Sequence, residues 1–162
     1  MSAEQIVFIV ISAVAVGGAF GVVAASNLFH SALFLVLSFA GVAGLYVLLD
    51  AGFIAAIQVL IYIGAISILI LFAVMLSQNL MTRGERQTNQ RWGIGATLAL
   101  ALTAALVVML VRASSAMPVG NAPMISIEQL GAALVGPFAL PFELASALLL
   151  VALVGAILLA RE

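Results

Sequence analysis

The polar residues best placed for chemistry lie inside the longest apolar stretch of the chain, in the segment 58–67 (QVLIYIGAIS). Tyr62 is followed two residues later by Gly64, and glycine is one of the weakest helix formers. Tyrosine usually lies at the edge of a membrane helix, with its hydroxyl in water, so one near the middle is unusual. Gln58 precedes Tyr62 by four residues, and a helix would put both polar groups on one face, where they could share a partner.

Two interpretations of this segment are open. In the first, Gly64, Ala65 and Ser67 form a small-residue contact with a neighbouring helix, and Tyr62 hydrogen-bonds across it. Such bonds contribute about 0.6 kcal/mol on average in membrane helices. In the second, the segment contains a π-bulge, an extra residue in one turn that leaves a carbonyl unpaired and tends to occur at functional sites. The residues alone favour the first interpretation, because small-residue contacts are common between membrane helices.

Few other side chains could carry an ion or a proton. Glu143 is the only charged residue within a predicted span, just after Pro141, which suits the first helical position. Glu143 is interpreted first as an acid that complements the helix N-terminus, with a proton-path role as the alternative. Asp50 is predicted to cap the third span. His30 is expected to form an interfacial hydrogen bond rather than to bind a metal, since no second ligand is nearby in sequence.

The composition indicates a membrane protein without a redox centre of its own. Of 162 residues, 66% are hydrophobic and 7% are charged, whereas about a quarter are charged in soluble domains. Cysteine is absent, which excludes disulfides, iron–sulfur ligation and thiol catalysis within the chain. A single histidine excludes haem held by two histidines. No catalytic, cofactor-binding or metal-binding residue is therefore predicted, and a net charge of −1 argues against nucleic-acid binding.

The apolar residues fall into five blocks, each close to or above the roughly 20 residues that an α-helix needs to cross a bilayer. Spanning segments must satisfy their backbone hydrogen bonds internally, so each block is predicted to be helical. The fold class expected is an all-α integral membrane protein with five transmembrane helices, forming a single membrane domain over 1–162. The predicted spans are 6–25, 31–49, 51–76, 92–111 and 141–160.

The arginines predict the orientation of these spans. The loop 77–91 is assigned to the cytoplasm by the excess of positive charge there, which puts the N-terminus outside and the C-terminus in the cytoplasm. The loop 113–140 then lies outside. Within it, Ser126 and Gln129 have the spacing of a capping box and predict a short interfacial helix. The arginines of the cytoplasmic loop are Arg83, Arg86 and Arg91.

Three stretches of the sequence resemble one known family. They are NLFHSALFLVLSFAGVAGLYVLL, GFIAAIQVLIYIGAISILILFAVML and LPFELASALLLVALVGAILLAR. They are similar to subunit J (subunit 6) of proton-pumping NADH:quinone oxidoreductase, respiratory complex I. Two departures from the family lie where the second and third spans begin. Leu28 replaces the proline of the family's Asn-Pro-Val-His turn, and Gly52 stands where the family frequently has an acid.

The resemblance implies a non-redox membrane subunit that couples quinone reduction to proton translocation through a switchable third span. Its π-bulge would involve Tyr62, Ile63, Gly64 and Ala65, and Gln58 and Glu143 would be further proton-path or interface candidates. The assembled complex would carry FMN and iron–sulfur clusters and bind NADH and quinone, with none of them held by this chain. The expected partners are the quinone-module and antiporter-like membrane subunits and the lipid bilayer, and the expected location is the bacterial cytoplasmic membrane.

Two alternatives remain. The chain could be the homologous membrane subunit of a multi-subunit cation/proton antiporter or of a membrane-bound hydrogenase, which would differ only in its partner proteins. It could also be a purely structural subunit that assists assembly, in which Tyr62 merely holds helices together.

Overall fold

The computed structural model describes residues 2–77, 92–116 and 126–161, and within these ranges all regular structure is helical. The all-α prediction is confirmed. The predicted cytoplasmic loop 77–91 lies outside the described residues, apart from Ser77. The elements are α1 (Ala3–Ala24), α2 (Leu28–Leu48), α3 (Gly52–Ile57), the π-helix π1 (Gln58–Ile66), α4 (Ser67–Leu76), α5 (Trp92–Ala116), α6 (Ile127–Val135) and α7 (Ala139–Ala160).

Five helices in the described ranges are long and apolar enough to cross a membrane, as predicted. The third of them is composite, because α3, π1 and α4 follow one another without a break from Gly52 to Leu76. The boundaries differ most at the end of the fourth span, where α5 continues to Ala116 rather than stopping at residue 111. Polar residues such as Arg112 and Ser114 end the apolar run but not the helix.

Helix caps explain where several elements begin. Ser2 and Gln5 form a capping box at α1, and the Asn27 Oδ1 accepts the Phe29 N–H of α2 at 2.8 Å. The predicted capping box of α6 is confirmed: Ser126 Oγ accepts the Gln129 N–H at 3.2 Å, and Gln129 Oε1 accepts the Ser126 N–H at 3.1 Å.

The prediction that Asp50 caps the third span is wrong. Ala51 precedes α3, and no side chain caps it. Asp50 instead adopts a left-handed conformation (φ 55°) and ends α2. Its N–H donates to the Val47 carbonyl, while the Ala51 N–H donates to the Tyr46 carbonyl, which are the two bonds of a Schellman motif. Aspartate tolerates this conformation better than most residues, so it suits a helix end here as well as a helix start.

Pro141 is also not at the first helical position, because α7 begins at Ala139 after Phe138. The first four N–H groups of a helix have no acceptor within the helix, and a proline anywhere in that turn therefore leaves no hydrogen bond unmade. Pro141 therefore lies in the first turn of α7 but is not its first residue.

The closest packing in the described chain joins α1 and α2 through small residues. A Cβ built on Gly18 would lie 2.7 Å from the Ser38 N, and one built on Gly41 would lie 2.6 Å from the Ala15 N. Ser38 Oγ donates to the Ala15 carbonyl at 3.0 Å across this contact. The two backbones therefore touch, as small-residue interfaces allow in membranes. The composite third span packs against the same helix, α2.

The chain divides into two compact units, Met1–Asn121 and Ala122–Glu162. Within the first unit, the side chains of α5 are exposed over 92–114, apart from the half-buried Ala113. In the second unit α6 packs against α7. The residues of α7 are exposed, apart from the half-buried Ala139 and Gly155.

Candidate functional site

The third span is interrupted at its centre by the π-helix π1, which occupies nine residues from Gln58 to Ile66. It contains Tyr62, Ile63, Gly64 and Ala65, the four residues that the resemblance implicates in a bulge, and it extends beyond them on both sides. The N–H of Ser67, at the end of π1, donates to the Tyr62 carbonyl five residues earlier, which is the π pattern, whereas the N–H of Gln58 still donates to the Ile54 and Ala55 carbonyls. Segments with the π pattern are rare and occur often at functional sites. The helix defect that the residues alone did not favour is present.

Gly64 does not mark a close approach between helices. A Cβ built there would have one neighbour within 4 Å, the Val59 carbonyl oxygen at 3.5 Å, which belongs to the same π-helix. Within the described chain, Gly64 therefore has no part in the small-residue contact of the first interpretation, and of that contact's three residues only Ser67 is buried. The contacts of that kind are made by Gly18 and Gly41, where backbone atoms of the other helix stand in the way of a side chain.

Tyr62 contacts α2 through its ring rather than through its hydroxyl. The ring meets Phe39 edge to face, with the centroids 5.3 Å apart and the planes at 71°. The side chain remains 42% exposed. No described residue forms a hydrogen bond with its hydroxyl, so that group is available to water, lipid or another protein. Phe39 was not identified from the sequence, since one phenylalanine among nine has no distinguishing pattern.

Gln58, at the start of π1, is one of few buried polar residues in the described chain, with 7% of its surface exposed. Its amide also forms no hydrogen bond with a described residue. The predicted common partner of Gln58 and Tyr62 is thus not found within the described ranges. The two side chains differ in environment, one buried against the rest of the chain and the other largely open.

Ser67, the first residue of α4, completes the site, and the sequence indicated it only as one member of a small-residue contact. It is 2% exposed, and its Oγ donates to the Tyr62 carbonyl at 2.7 Å. Its N–H donates to the same carbonyl. A hydroxyl five residues after a tyrosine and three after a glycine is the signal that could have identified it, because five residues is the hydrogen-bond spacing of a π-helix.

The remaining candidates lie outside π1. Glu143 is exposed, and its main-chain carbonyl accepts the Ser146 hydroxyl at 2.7 Å. The hydrogen bond expected for His30 is not formed with any described residue, and the ring instead meets Phe29 edge to face at 6.3 Å. Among the described residues, no group of three or more His, Asp or Glu side chains is arranged to hold a metal ion.

Comparison with known proteins gives a consistent result. Residues 18–159 match the family described as NADH-ubiquinone/plastoquinone oxidoreductase chain 6. The chain is 45% identical to NAD(P)H-quinone oxidoreductase chain 6 of Leptolyngbya boryana, over 96% of this chain and 78% of that protein. It is 39% identical to the protein of the same name from Synechocystis sp., over 98% and 81% respectively. It is also 39% identical to F(420)H(2) dehydrogenase subunit J of Methanosarcina mazei, over 98% and 91%.

Proposed function

The chain belongs to the NADH-ubiquinone/plastoquinone oxidoreductase chain 6 family, and from this premise we propose that its third span couples quinone reduction to proton translocation by changing its helical register. As a member of this family it is a multi-pass membrane subunit of an oxidoreductase complex, and other subunits of that complex are its partners. The proposed neighbours are the quinone module and the antiporter-like subunits, in the bacterial cytoplasmic membrane.

The observation that carries the proposal is the π-helix at the middle of a spanning segment. A segment whose π and α forms differed by only a few kcal/mol could switch between them, because packed elements with two discrete arrangements can convert small shifts into conformational change. Gly64 has a low α-helix propensity, which reduces the preference for the α form. Conversion to the α form would rotate the residues after π1 relative to those before it.

The side chains proposed to take part are those of π1. Tyr62, Ile63, Gly64 and Ala65 would form the gate, and the buried amide of Gln58 would offer a polar group beside it. Glu143 is proposed as a second proton-path or interface residue. Intramembrane acids usually serve such roles when they lie deep in the bilayer. Protons would reach this region from neighbouring subunits, since this chain has few charged side chains of its own in its spans.

The hydroxyl of Tyr62 provides a direct test. Tyr62→Phe keeps the ring contact with Phe39 and removes only a group that no described residue binds. We expect the complex to assemble. Proton translocation in sealed vesicles should fall about threefold to fivefold, the effect of losing one hydrogen bond between this hydroxyl and water or a neighbouring subunit.

The matched control is Tyr46→Phe, which removes the hydroxyl of the chain's other tyrosine, near the end of α2. It should leave assembly of the complex and proton translocation unchanged. If proton translocation in the Tyr62→Phe vesicles equals the wild-type rate, the hydroxyl has no part in coupling. The purely structural function, in which the Tyr62 ring joins helices, would then be favoured.

The electron donor is proposed to be a reduced nicotinamide, because two of the three relatives above carry NAD(P)H in their names and the third carries F(420)H(2). FMN and iron–sulfur clusters would lie in other subunits. We expect a tagged chain, extracted in mild detergent, to migrate on a native gel in a large band that stains for NADH or NADPH oxidation. A large band that stains only with reduced F420 would assign the other donor, and a small band without activity would contradict membership in such a complex.

A further inference from the structure

Ser67 occupies an unusual position at the junction of π1 and α4. It is 2% exposed, less than any other buried alanine, serine or glutamine of the described chain. Both its donors are directed at one acceptor: the hydroxyl donates to the Tyr62 carbonyl at 2.7 Å, and the backbone N–H donates to the same oxygen. That carbonyl lies five residues earlier, so both bonds belong to the π register.

In the described regular α-helices, hydroxyl groups that bond within their own helix reach carbonyls three or four residues earlier. Thr103 Oγ1 donates to the Ala99 carbonyl, four residues earlier, at 2.8 Å. Ser114 and Ser146 donate to carbonyls three residues earlier. These are the positions that a hydroxyl reaches in an α-helix. The hydroxyl of Ser67 therefore reports the register of its helix, and it stabilises that register by the bond it makes.

The burial pattern gives an independent measure of the register. Gln58 and Ser67 are nine residues apart, and both are buried in a span that packs against α2. An α-helix turns 100° per residue, and nine residues would place the two on opposite sides. A π segment turns less per residue, so π1 between the two residues brings them closer to one side. The shared burial of both polar side chains therefore agrees with the π form of this segment.

We propose that Ser67 is a positioning residue that holds the third span in its π register. In the α register the N–H of Ser67 would pair with the carbonyl of Ile63, and its hydroxyl would reach carbonyls three or four residues back. Conversion thus requires both donors of Ser67 to leave Tyr62 and the side chain to turn away from its buried position. The part that this residue plays in coupling rests on the proposed function, whereas its effect on register does not.

The test compares Ser67→Ala with the wild type in the assembled complex. Amide hydrogen exchange measures the opening of local structure, and its rate rises in proportion to the opening constant. We expect exchange in residues 58–67 to be about threefold to fivefold faster in Ser67→Ala, the effect of one hydrogen bond, with exchange in α2 unchanged. Unchanged exchange in this segment would overturn the proposal.

Two further variants separate the hydroxyl from packing. Ser67→Thr keeps the hydroxyl and should restore slow exchange, and exchange as fast as in Ser67→Ala would overturn the proposal. Thr103→Ala removes a hydroxyl bonded in the α pattern and should leave residues 58–67 unaffected.

Proton translocation measured on the same samples separates this proposal from the proposed function. Faster exchange with normal coupling would support the register assignment and contradict the gate. Impaired coupling with unchanged exchange would overturn the assignment to Ser67 and leave the gate standing.

Discussion

Replacing Gly18 with valine should separate α1 from α2, while the same replacement at the adjacent Gly17 should leave them packed. A Cβ at residue 18 would lie 2.7 Å from the N and 2.9 Å from the Cα of Ser38, and these backbone atoms cannot move aside without moving α2. A Cβ at residue 17 would have no neighbour within 4 Å. Overpacking usually costs about 1–3 kcal/mol, and a clash with backbone atoms lies at or above the upper end.

The expected result is loss of the Gly18→Val subunit from the complex, or at least a lower melting temperature of the complex that retains it. Gly17→Val has the same composition and the same β-branched side chain one residue away, so membrane insertion and helix propensity are matched. Gly41→Ala tests the contact from the other helix, since its Cβ would lie 2.6 Å from the Ala15 N. Equal stability of the Gly17 and Gly18 variants would show that the two backbones do not touch.

This packing also shows what the sequence could and could not predict. The five spans follow from the length of the apolar runs, because a bilayer requires helices of a certain length whatever they pack against. The glycine contact between Gly18 and Ser38 depends on which helices meet and at what depth. A chain with 14 glycines offers many candidate contacts, and at Gly64 no other helix of the described chain comes within 4 Å of a Cβ.

A local hydrogen bond could be predicted from the sequence where the spacing of two residues is typical of a single motif. The capping box of Ser126 and Gln129 could be predicted because both of its hydrogen bonds join residues three apart in the sequence, a spacing typical of a helix start. Asp50 is a common residue both at helix starts and in left-handed turns, and the sequence could not choose between these. The register of π1 was implied by a family resemblance, whereas the role of Ser67 depends on which carbonyl its hydroxyl reaches and required the structure.

The second effect is expected from Gly64→Val, which should reduce quinone reduction and proton translocation together by about twofold or more while the complex still assembles. Valine has a higher α-helix propensity than glycine, by about 0.5 kcal/mol, and so favours the α register. In the π register its Cβ would stand at ordinary contact distance, 3.5 Å, from the Val59 carbonyl oxygen, and its branch would add atoms beside that oxygen. The propensity difference alone corresponds to a factor of about two, and any crowding by the branch adds to it.

Assembly should persist because no other helix of the described chain stands within 4 Å of a Cβ at this position. Gly155→Val in α7 makes the same change at a glycine that is also open, and it controls for the insertion of a branched residue into a span. Gly64→Ala separates the two contributions, since alanine raises the α propensity most but adds no branch. An alanine variant as impaired as the valine variant would assign the effect to propensity, and normal coupling in both would mean that the third span does not need its π form to work.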